Sequence, residues 1–172
     1  MELNWSLKEI YTSFNSEEFK RDLENLNEII ENINIWATDA VKDKENLVKK
    51  LEEYINKFAQ VTELSSKLSI FINLSLSTNT KNKDALKYSD VLEKRLTNLV
   101  ESSVKLERYI SNIGDIDCII NKSKLLKEHE FLLKNICEQS NYLLSEKEEN
   151  IIASMRNTGS NAWAKLKDNL IS

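Results

Sequence analysis

Residues 47–72 read LVKKLEEYINKFAQVTELSSKLSIFI, and the spacing of apolar side chains in this stretch decides the fold. Leu47, Leu51, Tyr54, Phe58, Val61, Ser65, Leu68 and Ile72 recur at alternating steps of four and three, which on an α-helix puts them in one stripe. A helix from about Asp43 to Leu76 is predicted. The alternation returns in Ala85, Ser89, Leu92, Leu96, Leu99, Ser103, Leu106, Ile110 and Ile113, predicting a second long helix from about Asn82 to Ile113. Only the short polar link Ser77-Thr78-Asn79-Thr80-Lys81 separates them, so they are expected to form a long antiparallel hairpin, packed as in a bundle or coiled coil. The interior serines relax that seam, as expected if a third helix approaches closely.

On the N-terminal side, Ser16 is a good N-cap, with Glu17 and Glu18 at the positive end of the helix it opens. Phe19, Leu23, Leu26, Ile30 and Ile33 then make one buried stripe. The preceding segment, with Trp5, Leu7, Ile10, Tyr11 and Phe14, is too aromatic for a disordered tail and should pack onto the bundle. On the C-terminal side, Gly114 stands where a left-handed helix terminus is needed. A loop at 115–121 leads to a helix of roughly Lys122 to Glu138. Ser145 and Glu148 make a capping box for a helix through Ile151, Ile152 and Met155. Asn157-Thr158-Gly159-Ser160 is punctuation, after which Ser160 can cap a last helix carrying Trp163, Leu166 and Leu170.

The 172 residues include no proline and two glycines, so little interrupts these helices. Hydrophobic residues at 41% and charged residues at 30% are ordinary globular values, which argues against wholesale disorder. No apolar run approaches the roughly 20 residues a membrane span needs. The expectation is one all-α domain over residues 1–172, an antiparallel bundle of about five or six helices around the long hairpin. Met1-Glu2-Leu3-Asn4-Trp5 has neither the basic nor the apolar region of a secretory signal, so the expected location is cytoplasmic. The net charge of −4 would repel a phosphate backbone. Lys122, Lys124, Lys127 and Lys134 alternate with Leu125, Leu126, Leu132 and Leu133, as on the wet face of an amphipathic helix. Neither nucleic acid nor membrane is expected as a partner.

Reactive chemistry is sparse. His129 lies between Glu128 and Glu130, but a zinc-binding His-Glu-x-x-His helix needs a second histidine where Leu133 stands. His129 is expected at the surface or rim. Cys118 and Cys137 are too few for a disulfide framework and are expected as small buried hydrophobes. Carboxylate neighbours such as Glu52-Glu53, Glu148-Glu149 and Asp115 with Asp117 read as solvated charge, and Asp115-Ile116-Asp117-Cys118-Ile119-Ile120 lacks the alternation of a calcium loop. Trp36 reads as a packing residue. No catalytic, cofactor-binding or metal residue is expected.

The two ends carry more. Residues 5–19, Trp5-Ser6-Leu7-Lys8-Glu9-Ile10-Tyr11-Thr12-Ser13-Phe14-Asn15-Ser16-Glu17-Glu18-Phe19, resemble the start of the oligoendopeptidase F family, with its Trp-x-Leu, Tyr-x-Ser-Phe and following helix. Leu144-Ser145-Glu146-Lys147-Glu148-Glu149, followed by Asn157-Thr158-Gly159-Ser160-Asn161-Ala162-Trp163-Ala164-Lys165-Leu166, resembles the stretch before that family's catalytic region. Leu74-Ser75-Leu76-Ser77-Thr78-Asn79-Thr80 sits where the family has a polar break between long helices; Asn79 replaces a frequent aspartate, which touches only local capping. The likeness extends over essentially the whole chain.

That family's members are thimet-like zinc metallo-oligopeptidases that cut short peptides inside the cell, with His-Glu-x-x-His and a third zinc ligand in a C-terminal catalytic domain. The resemblance implies that this chain is the helical N-terminal domain, truncated before the catalytic domain and inactive alone. Zinc is then expected only in the missing part, which would be the partner. The helical domain would form part of a cleft wall that admits oligopeptide substrates and excludes folded proteins. Trp5, Tyr11, Phe14 and Trp163 are the candidates for holding the ends together or facing the missing half, though all four could equally be core. Self-association through an uncovered surface is compatible with this. The rival expectation is a stand-alone helical interaction module whose hairpin dimerises or grips a partner helix.

Overall fold

The computed structural model describes residues 6–171, and among them the chain is helical, without strands. Its helices are α1 (Glu17–Ala40), α2 (Leu47–Thr78), α3 (Lys83–Thr97), α4 (Val100–Ser111), α5 (Ile116–Ile120), α6 (Lys124–Glu128), α7 (Glu130–Gln139), α8 (Glu146–Thr158) and α9 (Ser160–Ile171). The all-α bundle is as the spacing predicts, and each of the six predicted helices is present. Two of them are jointed, and the loop at 115–121 holds a short helix of its own.

α1 begins where its cap dictates, with the Ser16 hydroxyl accepting the Phe19 amide at 3.3 Å. Its predicted stripe is buried throughout, Phe19, Leu26 and Ile33 having no exposed surface. α2 starts at Leu47 rather than at Asp43, because Asn46 takes a left-handed backbone, φ 51°, that a helix cannot continue through. The Asp43 carboxylate instead accepts the Glu45 amide at 2.8 Å and Lys50 Nζ at 2.7 Å, closing the turn between α1 and α2. From there α2 runs unbroken over 32 residues, packing against α1 and α3.

The predicted helix from Asn82 to Ile113 is capped as expected, the Asn82 side chain accepting from the amides of Asp84 and Ala85. It does not run straight through. At Asn98 and Leu99 the amides turn to carbonyls three residues back, Asn98 to Arg95 and Leu99 to Leu96. Two side-chain contacts hold that tightened turn: the Thr97 hydroxyl donates to the Glu93 carbonyl at 2.8 Å, and the Asn34 amide of α1 donates to the Asn98 carbonyl at 3.2 Å. Before this joint α3 packs on α2; beyond it α4 packs chiefly against α8, α7 and α1. The long hairpin is therefore unbroken on one arm and jointed on the other.

Gly114 adopts φ +96°, open to glycine at no steric cost, but α4 has already ended at Ser111 with Asn112 as its cap, so the glycine serves the turn that follows. Asp115 then caps α5 by accepting the Cys118 amide at 3.0 Å, which turns Ile119 and Ile120 inward and leaves Cys118 exposed rather than buried. Cys137 is half-buried. The helix expected from Lys122 to Glu138 starts instead at the Ser123 cap and is divided at His129, whose amide is shared between the Leu125 and Leu126 carbonyls, each at 3.2 Å. Lys122, Lys124 and Lys127 are exposed, as the amphipathic pattern implies.

Two apolar cores result. One gathers Tyr11, Phe14, Phe19, Leu26, Leu68, Phe71, Ala85 and Leu92; the other gathers Leu51, Tyr54, Leu106, Ile110, Leu126, Leu133 and Ile136. The serine seam does not receive a third helix: Ser65 and Ser89 line an open groove of about 440 Å³ between α2 and α3. Leu68→Ala should lower unfolding free energy by about 3 kcal/mol in urea titration, because Leu68 is fully enclosed. Ile70→Ala, on the half-exposed side of the same helix, should change it by no more than about 0.5 kcal/mol.

Candidate functional site, two exposed apolar stripes

α8 and α9 form the least covered part of the described chain. The capping box at the start of α8 is formed, with the Ser145 hydroxyl accepting the Glu148 amide at 3.3 Å and the Glu148 carboxylate accepting the Ser145 amide at 2.8 Å. One residue, Gly159, separates α8 from α9, and α9 therefore begins at Ser160 itself rather than after it. The Trp163 amide reaches the Gly159 carbonyl at 3.0 Å, and a Cβ at 159 would lie 2.8 Å from the Met155 carbonyl.

The pair is fastened to the bundle mostly by polar groups. Arg108 of α4 donates to the carbonyls of Leu143 and Leu144, just before α8. Asn157 Nδ2 donates to the Thr97 hydroxyl at 3.0 Å, and Lys165 Nζ meets Asp90 at 2.8 Å and Glu93 at 3.0 Å on α3. The outward sides are apolar. Ile151 and Met155 stand one helical turn apart, 58% and 64% exposed, around a shallow depression edged by Lys147, Asn150 and Thr158. Trp163, Leu166 and Leu170 follow the three-four spacing on α9 at 71%, 46% and 77% exposure. Isolated exposed leucines are ordinary, but two stripes led by a tryptophan are what an interaction surface looks like.

The four aromatic candidates separate. Trp5 lies outside the described residues. Tyr11 and Phe14 are buried in the first core, Tyr11 edge-on to Phe19 and Phe71 at 5.2 and 5.3 Å, and Phe14 stacked on Tyr88 at 5.6 Å. Trp163 is on the open face of α9 and meets neither. The Tyr11 hydroxyl donates to Asp22 at 2.8 Å, and Lys67 Nζ reaches the same carboxylate at 2.7 Å while lying 4.5 Å from the Tyr11 ring centre. Burial pushes the Tyr11 pKa above its ordinary value, helped by the bond to the carboxylate. Burial also pushes Asp22 upward, but the bonds from Lys67 and Tyr11 outweigh it and hold the carboxyl below the usual range. Trp36, half-buried, donates to Glu53 at 2.7 Å and receives Lys57 over its ring.

Nothing in this arrangement fits a hydrolytic metal. His129 Nδ1 lies 3.0 Å from the Leu125 carbonyl, within its own helix, and among the described residues no three His, Cys, Asp or Glu side chains come together as ligands. Zinc therefore has no fitting donor set in the described part of this chain. Another carboxylate is shifted in the direction opposite to Asp22. Glu107 on α4 is held above the ordinary glutamate pKa, first by burial and then by the negative charge of Glu149 on α8. Open space is found instead between α2, α3 and α9: a pocket of about 370 Å³ lined by Leu76, Leu86, Lys165 and Asp168 shares Asn73, Ser89 and Glu93 with the serine groove. No helix of the described chain is long and apolar enough to cross a membrane.

Residues 112–172 match the family model described as Oligopeptidase F, an N-terminal-domain model of a metallopeptidase family. The match contains α5 to α9 and therefore both exposed stripes. The resemblance at 144–166 is borne out directly, whereas the likenesses at 5–19 and 74–80 lie outside the matched residues. No curated protein and no solved structure matches the chain.

Tyr11→Phe should cost about 1 kcal/mol of stability and Asp22→Asn about 2, since the latter leaves a buried hydroxyl and a lysine sharing a weaker acceptor. The Asp22 contribution is present above the ordinary aspartate pKa and lost as pH falls through the lowered one. Glu107 works the other way. Its raised pKa gives stability that is full below the ordinary glutamate value and lost as pH rises through the folded-state value, so Glu107→Gln should flatten the pH dependence of the melting temperature on that acid limb.

Proposed function

We propose that this chain, whose residues 112–172 are of the oligopeptidase F N-terminal type, is the helical N-terminal part of a cytoplasmic zinc metallo-oligopeptidase, and that it performs no catalysis itself. Its task is to form part of the wall of a substrate cleft. A packed helical wall has little conformational freedom, so it can restrict entry to short, unfolded peptides and help position them without moving a proton. Zinc, with its His-Glu-x-x-His ligands, belongs to a catalytic part whose docking surface here is the pair of stripes on α8 and α9.

The observation that carries this proposal is the coincidence of two independent features. The segment that matches the family contains α8 and α9, whose apolar side chains are little covered, with Trp163, Leu170 and Met155 all more than 60% exposed. Covering such side chains is worth about 1.5–3 kcal/mol each, which is the driving force a domain interface needs.

The test is reconstitution. The chain, produced alone and incubated with zinc, should retain no stoichiometric metal on gel filtration and cleave no fluorogenic oligopeptide. Added to a separately produced catalytic portion of an oligopeptidase F carrying His-Glu-x-x-His, it should form a complex and change the size limit of the peptides cleaved. Trp163→Asp with Leu166→Asp should weaken that complex at least about a hundredfold, with the melting temperature of the chain alone little changed. Turnover by the chain alone, or reconstitution indifferent to those substitutions, would overturn the proposal. A stable homodimer lost with the same substitutions would point instead to a free-standing interaction module.

A further inference from the structure

We infer that this bundle is articulated: its two cores are separately cooperative halves that meet at a polar waist, and α8–α9 is a strap laid across the joint. The two cores share little. Among the described residues Phe58 alone packs against both. On α1 the first core ends at Ile33 and the second begins at Ala37, and Asn34 lies between. On the opposite side the first core ends at Leu99, just after the tightened turn at Asn98, and the second begins at Leu106. Asn34 Nδ2 joins these two points through the Asn98 carbonyl at 3.2 Å, while its Oδ1 is buried with no hydrogen-bond partner among the described residues. Ser102, also buried, sits on the same stretch. Where a continuous bundle would place interlocking leucines on α1 and α4, this one places an asparagine and a serine with the smaller Val104. Contacts of that kind resist bending far less than packed apolar side chains do.

The strap spans the same level. At its start α8 is attached to α4, through Arg108 and the Leu143 and Leu144 carbonyls. Near its end it is attached to α3, through Asn157 and Thr97, and α9 follows with Lys165 on Asp90 and Glu93. Asn161 Nδ2 reaches Asn157 Oδ1 at 3.4 Å, linking α9 to the same contact. One attachment is on each side of the joint. They are hydrogen bonds and a partly exposed ion pair rather than a buried apolar seam, and ties of that class are individually weak. α1 and α2 cross the waist unbroken, so the give is on the α3–α4 side, where a weak strap with an apolar outer face spans the interruption. Any body covering that face stiffens the joint, and removing it frees the joint.

Native-state hydrogen exchange on the 172-residue chain tests this. Leu106→Ala should speed exchange of the slow amides in α4 and α7 by about thirtyfold or more, while those around Leu26 and Leu68 change by less than about threefold. Leu68→Ala should give the converse. Ile110→Val serves if Leu106→Ala prevents folding, with a smaller change of the same locality. Asn157→Ala with Lys165→Ala should speed exchange at 97–102 by about tenfold, leaving the far ends of both cores unaltered. Uniform acceleration of all slow amides by any core substitution would show one cooperative unit and overturn the inference. So would unchanged exchange at 97–102 once the strap contacts are removed.

Discussion

Everything else in the molecule is arranged on the stripe that α2 buries. At 32 residues α2 is the longest helix described, and like α1 it passes through both cores without interruption, contributing Leu51, Tyr54 and Ile55 to one and Val61, Leu68, Phe71 and Ile72 to the other. A helix of that length is not stable on propensity alone; it persists because its apolar face is covered along its whole length. The cover differs from end to end. α1 runs beside α2, α3 closes one half, and at the other half α5 and α6 reach α2 because α4 has turned toward α7 and α8. The joint at Asn98 follows from that demand, since a straight continuation of α3 would keep α4 against α2 and displace the short helices.

The Asp22 cluster solves a related problem at the opposite end. The segment before α1 contributes Tyr11 and Phe14 to the first core, and a short irregular segment must satisfy its own polar groups if it is to be buried. Asp22 does this with one carboxylate, receiving the Tyr11 hydroxyl and Lys67, so that the segment, α1 and α2 converge on one anion. The cost of burying the anion is offset by those charge-assisted bonds, which is why its pKa falls although burial alone would raise it.

The long periodic helices were legible in the sequence because three-four spacing is a consequence of helix geometry alone. The first-helix stripe, the Asn82 cap, the capping box at Ser145 and the glycine turn at 114 are local signals, and local structure obeys them. The joints were not legible for the same reason. Leu96, Leu99, Ser103 and Leu106 keep the periodic pattern across Asn98, because a tightened turn shifts hydrogen bonds without disturbing which residues are apolar. One of the contacts that hold the turn comes from Asn34, 64 residues away. The division at His129 and the five-residue α5 escaped likewise, since neither changes the composition around it. The α8 and α9 stripes were visible as periodicity, but spacing reports only that a face is apolar, not whether anything covers it. Ile151, Met155, Leu166 and Leu170 have the same pattern as Leu68 and the opposite burial.

That difference ties the fold to the proposed function. A surface stripe held for an internal seam would be expected to bring buried residues from both sides, as α1 and α2 do. α8 and α9 instead attach through an arginine, an asparagine and a lysine, leaving their large side chains outward. Polar attachment on the inside with apolar groups on the outside is the reverse of a helix pair whose task ends within the bundle. Association of separate molecules must overcome about 4–15 kcal/mol of lost translational and rotational freedom, a cost absent when the covering body is a neighbouring part of the same enzyme. Two modest stripes suffice in the second case and barely in the first. That asymmetry is the physical reason why, under the proposed function, a covering body tethered to these helices is favoured over a diffusing one.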